Sequence, residues 1–279
     1  MTGRSGSKRP ELIGLARSYL AALTAHNPSQ VALAPAYRAT ENGAVAGLGS
    51  GLWINARAFP GHPGLVCDEV DGQVVVFGAV ELEDGPHPIG LRLRIENAAV
   101  VESEAIISSS TRGFFADVSE LLNADVIYEA EVTPERGCSR ERLRAIANSY
   151  WNALAQSDGS LVEVNHRADR FANGKKVTNN LEILLSPDRA FHSVSSLLTA
   201  TRPARPQVRE KRFPVLDTDR GVAASIAVVD FAENPLDPRP DTGSFYILNV
   251  IKVVDGQIRI IDALHQIMPR GTISGWGSA

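Results

Sequence analysis

The chain has 279 residues, 44% of them apolar and 22% charged, with a net charge of −4. That is ample apolar material for one large core or two smaller ones. The mild acidity excludes the electrostatic footprint of a nucleic-acid binder, and no stretch reaches the ~18 apolar residues of a membrane span. The expected partner is a small-molecule substrate, with no nucleic acid and no membrane; further association into a homo-oligomer stays open.

Met1–Pro10 is polar and basic with no apolar run behind it, so it reads as a frayed tail rather than a secretory signal, and the expected location is cytoplasmic. Leu12, Leu15, Ala16, Tyr19, Leu20 and Leu23 then form one apolar stripe at helical spacing. The stripe recurs at a constant offset as Leu143, Ile146, Ala147, Tyr150, Trp151 and Leu154, and the same offset carries Asn42-Gly43 onto Asn173-Gly174. Two further blocks match at their own offsets: Asp68, Gly72 and Val80 with Asp217, Gly221 and Val229, and Arg94 to Ala105 with Lys252 to Ala263.

In each half a helix and a shorter helical turn precede the strands. These are predicted at Gln73–Leu82, Gly90–Glu96 and Ala99–Ile107, then at Gly221–Phe231, Ser244–Val254 and Gln257–His265. Asp255-Gly256 signals a tight hairpin, and the strands are expected to be antiparallel. Ser108–Gly137 reads as a partly ordered connector, Ser139–Arg142 as a capping box opening the second helix, and Asn234–Asp241 as a proline- and aspartate-rich insertion. The expected fold class is α+β, in two tandem domains over 9–110 and 138–276 joined by a connector at 111–137. Strands as apolar as Tyr246–Val254 need both faces covered. Helices would cover one face, and the sister sheet the other.

The helix Arg17–Leu23 followed by Tyr37–Gly43 resembles the opening of SnoaL-like and ketosteroid-isomerase-like domains of the NTF2-like superfamily, and Asn148–Leu154 repeats it. Lys211–Gly221, Val250–Arg259 and Ile273–Trp276 extend the likeness over nearly the whole chain, as in tandem NTF2-like proteins of bacteria and fungi. The resemblance implies cone-shaped α+β barrels paired as an intramolecular pseudo-dimer. Each cone would hold a pocket between sheet and helix, used for isomerase, lyase, cyclase, dehydratase or epoxide-opening chemistry, usually without a cofactor. It also implies a tyrosine on the first helix as oxyanion donor, a place taken by Tyr19 and Tyr150, and a carboxylate base before the first strand, where Glu41 stands. The second repeat has Ala172 at the matching offset.

Tyr19 and Tyr150 lie on buried stripes, where a phenol either finds a structural partner or donates to an oxyanion. Glu41 is a candidate base or ordinary turn chemistry. Asn165-His-Arg-Ala-Asp-Arg170 is the most chemical stretch, placing His166, Asp169 and Arg170 at the expected pocket mouth; the alternative is a solvated helix-to-strand turn. By alternation, His265 shares a face with Arg259, Ile261 and Ala263. The catalytic candidates are therefore His166, Tyr150, Arg170, Asp169 and His265. Tyr19, Tyr37, Arg38, Glu41, Asn173, Arg212 and Tyr246 are the substrate-binding candidates. Arg212, Asp217 and Arg220 also read as an ion-pair network flanking a central strand.

Gly47-Leu-Gly-Ser-Gly51 lacks the spacing and lysine of a phosphate loop. The scattered histidines and the lone cysteines, Cys67 and Cys138, give no metal spacing or disulfide framework. No metal and no cofactor are expected. The favoured function is a cofactor-independent lyase or isomerase acting by acid-base catalysis on a bulky aromatic or apolar molecule, with the second repeat active. Resemblance suggests a diarylpropane releasing formaldehyde as one substrate option. The alternatives are a non-catalytic binding or scaffold protein and, third, an epoxide hydrolase.

Overall fold

The computed structural model describes residues 8–113, 115–181, 185, 192–202, 206–232 and 242–277. Helix α1 (Arg9–Thr24) forms over the first apolar stripe and buries Leu12, Ala16, Tyr19, Leu20 and Leu23. Pro10 sits in its first turn, where a missing N–H costs nothing. Arg9 and Pro10 thus belong to the helix and not to a tail, while 1–7 lie outside the described residues. After the single turn α2 (Leu52–Asn55), helix α3 (Arg140–Gln156) buries the second stripe, and the Ser139 hydroxyl accepts the Arg142 N–H at 3.2 Å as its N-cap. Arg142 cannot return the bond as Glu or Gln would, so only half of the expected capping box is present. Helix α4 (Val194–Ala200) packs beside it.

The first half contains β1 (Leu33–Glu41), β2 (Ala44–Ala46), β3 (Gly64–Asp68), β4 (Gln73–Leu82), β5 (Gly85–Glu96) and β6 (Ala99–Ile107). A small ladder follows, β7 (Arg112–Gly113) with β8 (Ala116–Asp117). The second half contains β9 (Val164–Ala172), β10 (Lys175–Lys176), β11 (Gln207–Asp217), β12 (Val222–Asp230), β13 (Thr242–Val254) and β14 (Gln257–Pro269). They form two six-stranded sheets of one topology, β2-β1-β6-β5-β4-β3 and β10-β9-β14-β13-β12-β11. The arrangement is mixed α+β. The strands are not all antiparallel: β1 runs parallel to β6, and β9 to β14. Each helix delivers the chain into a strand that ends up beside the last one of its sheet. The insertion at Asn234–Asp241 lies outside the described residues.

Three tight turns share one chemistry. Asn42-Gly43, Asn173-Gly174 and Asp255-Gly256 all have both residues at positive φ, which Asn, Asp and Gly tolerate best. The two Asn side chains also sew their turns to the last strand. Asn42 Nδ2 donates to the Ile107 carbonyl at 3.0 Å and its Oδ1 accepts the Ile107 N–H at 2.9 Å. Asn173 does the same to His265 at 3.0 and 2.9 Å.

One face of each sheet is covered by its own helix. Leu12, Tyr19 and Leu23 pack on Val74, Leu91 and Leu93 in the first half, while Leu143, Tyr150 and Trp151 pack on Ala227, Ile251 and Ala263 in the second. The opposite faces share a third cluster, in which Val66, Val75, Phe77 and Ile106 meet Ile226, Tyr246, Leu248 and Leu264. The described residues of segment 111–137 are tied into the rest of the fold. Leu121 and Tyr128 enter the shared cluster, Asp117 N–H donates to the Asn173 carbonyl at 2.9 Å, and Val132 N–H donates to the Asp219 carbonyl at 2.8 Å.

Candidate functional site

The helix-covered face of the second sheet brings Tyr150, Arg170 and His265 together. Arg170 projects from β9 on the side of Ala168 and Ala172, both in the helix-side core, and is only 8% exposed. Its Nε donates to the Tyr150 hydroxyl at 3.0 Å. Its backbone N–H donates to Thr178 Oγ1 at 2.8 Å. Among the described residues this guanidinium has no salt bridge, an unusual state for a buried cation, although the Asp262 carboxyl is near enough to feel its charge. His265 reaches the same face from β14 through the alternation that puts Ile261 and Ala263 there, and its ring lies 5.6 Å from that of Phe245. Burial, reinforced by the Arg170 charge, holds its imidazole down to about 3, so it is neutral at physiological pH. Trp151 packs edge-on to Tyr150, and Phe245, with Phe231 behind it, lies beside His265 in the same buried cluster.

The other members of the polar stretch separate. Rather than a helix-to-strand turn, it is the body of β9. His166 is exposed near the start of that strand. Asp169 points away from Arg170 and pairs with Lys176 at 2.8 Å and Asn179 at 3.0 Å. Asn173 is fully buried in its turn, where its amide is used up by His265 and by Ser108 Oγ at 2.9 Å.

The corresponding face of the first sheet is polar but without an uncommitted charge. Tyr19 and Tyr37 share a 2.6 Å hydrogen bond, Tyr37 continues to Ser103 Oγ at 2.6 Å, and Trp53 stands edge-on to Tyr19 at 5.4 Å. Burial pushes both phenols above their usual range. Glu41 ends β1 and does not precede the first strand; its Oε1 accepts the Leu52 N–H at 2.8 Å, capping α2. Burial raises its carboxyl while that N–H pulls the other way. Arg38 lies on the opposite face, stacked on Trp276 at 4.1 Å, and Trp276 Nε1 donates to Thr40 Oγ1 at 2.7 Å.

Arg212 and Tyr246 lie between the sheets. Both converge on Glu104, which is 0% exposed: the Arg212 guanidinium donates twice, at 2.8 and 2.6 Å, the Tyr246 hydroxyl donates to Oε1, and Arg92 Nη1 stands 3.4 Å away. Arg212, Asp217 and Arg220 therefore do not form one network, and β11 is an edge strand rather than a central one. Asp217 pairs instead with Arg9 at 2.9 Å, and Arg220 Nε donates to the Glu129 carbonyl at 2.9 Å.

Glu104, Tyr128, Asp262 and Lys252 are chemistry-bearing residues that sequence reasoning missed. The matched block from Arg94 to Ala105 and from Lys252 to Ala263 contained the signal, since it sets Glu104 on Asp262 and Arg94 on Lys252. Asp262 Oδ2 accepts the Tyr128 hydroxyl at 2.6 Å, and burial lifts its carboxyl to about 6. It lines a cavity of about 210 Å³ with Phe77, Leu121, Asp125 and Phe171. No three-ligand group for a metal ion occurs among the described residues, and no helix among them is long and apolar enough to cross a membrane.

A family model described as a domain of unknown function, DUF8021, matches residues 136–265. No curated protein matches the chain. Solved structures similar to parts of it include a polyketide cyclase from Xanthomonas campestris, with 16% identity over 45% of this chain and 90% of that one and a TM-score of 0.34. Others are an LEH-like epoxide hydrolase from M. tuberculosis (18%, 47% and 85%, 0.31) and a ketosteroid isomerase, so described, from Kribbella flavida (13%, 45% and 78%, 0.30).

Proposed function

We propose that the chain is a tandem pair of NTF2-like domains, 9–110 and 138–276, forming an intramolecular pseudo-dimer whose second domain is a cofactor-independent lyase or isomerase. The observation that carries the catalytic part is Arg170, a buried cation with a tyrosine hydroxyl as its side-chain partner and apolar walls around it. Such a site favours a ligand that carries or develops negative charge, because an oxyanion there replaces the missing counter-ion. Tyr150, receiving a hydrogen bond from Arg170, keeps its own O–H to donate to the same oxygen. Neutral His265 adds a hydrogen-bonding group to the same face, while its imidazole, held down to about 3, is too weak a base to hold a proton near neutral pH. Aromatic walls fit a bulky aromatic substrate, and loss of formaldehyde from a diarylpropane, through a quinone-methide-like intermediate whose phenolate oxygen faces Arg170, is one reaction of this type.

The first domain is assigned a scaffold role, since its polar groups close on one another or cap α2. Asp169 facing Lys176 argues against epoxide hydrolysis by an Asp–Arg pair. The test is turnover of diarylpropanes, enones and epoxides without added cofactor, followed by mass spectrometry. Wild type and the surface variant Arg17→Gln should turn over one class, and Arg170→Met should lose about 10²–10³-fold while keeping its melting temperature. Equal rates in Arg170→Met and wild type would move the chemistry elsewhere.

A further inference from the structure

Lys252 is 2% exposed on β13, on the side of the sheet that carries Tyr246, Leu248 and Val250. Its counterpart in the matched block is Arg94, paired with Glu96 at 2.6 Å and Glu102 at 3.3 Å, Glu102 being its cross-strand neighbour. In the second half those acids are replaced by Val254 and Ile260, and Ile260 is now the cross-strand neighbour of Lys252. The cation position has been kept and both of its carboxylates removed. Among the described residues Lys252 has no salt bridge; its Nζ donates to the Ala130 carbonyl at 2.6 Å. It also lines a cavity of about 390 Å³ with Ile127, Val132 and Val254, and with the guanidinium-bearing Arg136 and Arg259.

We propose that Lys252 is a nucleophilic amine that condenses in this cavity with a small aldehyde or ketone bearing a carboxylate. The Nζ lone pair attacks the carbonyl carbon, forming the C–N bond while the π pair moves to oxygen. Proton transfer from nitrogen to oxygen gives the carbinolamine, and loss of water leaves the imine. Arg136 and Arg259 lie where the carboxylate of such a ligand can be met, although both also hold Asp255. Burial lowers the ammonium to about 8, with Arg220 acting in the same sense and Asp217 against it, so a sizeable neutral fraction exists near neutral pH.

The experiment is labelling of the full chain with glyoxylate and sodium cyanoborohydride at pH 7.5, read by peptide mass spectrometry, with acetaldehyde as the uncharged comparison. Lys252 should be alkylated ahead of Lys175, Lys176 and Lys211, and faster by glyoxylate than by acetaldehyde. Val254→Glu, which restores one acid partner, should slow its labelling about tenfold for each unit by which the amine is raised. Labelling of Lys252 no faster than that of the surface lysines overturns the nucleophile. Equal rates with the two reagents overturn the carboxylate assignment.

Discussion

Arg170 separates the two helix-covered faces at the scale of single residues. At the constant offset of the sequence match its counterpart in the first half is Ala39, so that match alone marks position 170 as the place where the second half gains a charge. Tyr150 was legible on its helical stripe and His265 on its strand, but their grouping with Arg170 was not, because β9 read as a turn. His166 and Asp169 were not separable from Arg170, since a polar six-residue run does not show which side chains leave toward solvent. Asp262 tests the electrostatics of the opposite face. Its carboxyl is lifted to about 6, so the stability it contributes is fully present below pH ~4 and lost as pH rises through 6. Asp262→Asn lacks that loss and keeps an oxygen for Tyr128. Urea titrations should show the variant more stable than wild type by about 3 kcal/mol at pH 7, with the difference gone near pH 4; a constant difference across that range would rule out this titration. His265 acts in the opposite sense: held down to about 3, it removes stability as pH falls from about 6.5 toward 3.

At the scale of elements, the strands β4, β6 and β12–β14 were visible because apolar runs bounded by Gly and Asp turns leave little choice. β1 and β9 were hidden by their polar content. Each has one helix-covered face and one facing partly solvated partners, Trp276 for β1 and Lys176 and Asn179 for β9, so Tyr37-Arg-Ala-Thr-Glu41 and His166-Arg-Ala-Asp-Arg170 look like loops to a composition-based reading. Parallel pairing with β6 and β14 was equally hidden, since short-range turn signals say nothing about a strand laid beside another formed much later in the chain. The Asn-Gly turns hold these strands in place. Asn173→Ala removes three side-chain hydrogen bonds from a fully buried position and should cost about 2–3 kcal/mol in urea unfolding; Asn42→Ala, with two, should cost less. Equal losses at the two turns would contradict this account of their hydrogen bonding.

Over the whole molecule, the two halves exchange equivalent contacts. Arg9 at the start of α1 reaches Asp217 at the end of β11 at 2.9 Å, and Arg140 at the start of α3 reaches Asp68 at the end of β3 at 2.7 Å. These are positions matched in sequence that contact each other crosswise, as the proposed pseudo-dimer expects. The matched blocks in sequence pair these positions, whereas partner choice across the seam depended on three-dimensional proximity that no local pattern encodes. Glu104 is the strongest polar tie, bound by arginines from both halves, and Glu104→Ala should cost about 3–5 kcal/mol because it strands the Arg212 charge. An unfolding free energy within 1 kcal/mol of wild type would show that this tie contributes little to stability. Asp68→Asn and Asp217→Asn should produce similar losses of about 1–3 kcal/mol each, whereas a large loss at one and none at the other would contradict the crosswise symmetry.

The central claim is that the second domain stabilises an oxyanion through Arg170 and Tyr150. The most direct measurement is the absorbance of bound 4-nitrophenol as pH is varied. Wild type should hold it as the phenolate, with its ionisation shifted below that of the free phenol, and Arg170→Met should abolish that shift. A bound phenol that ionises at the same pH in wild type and variant would contradict the claim.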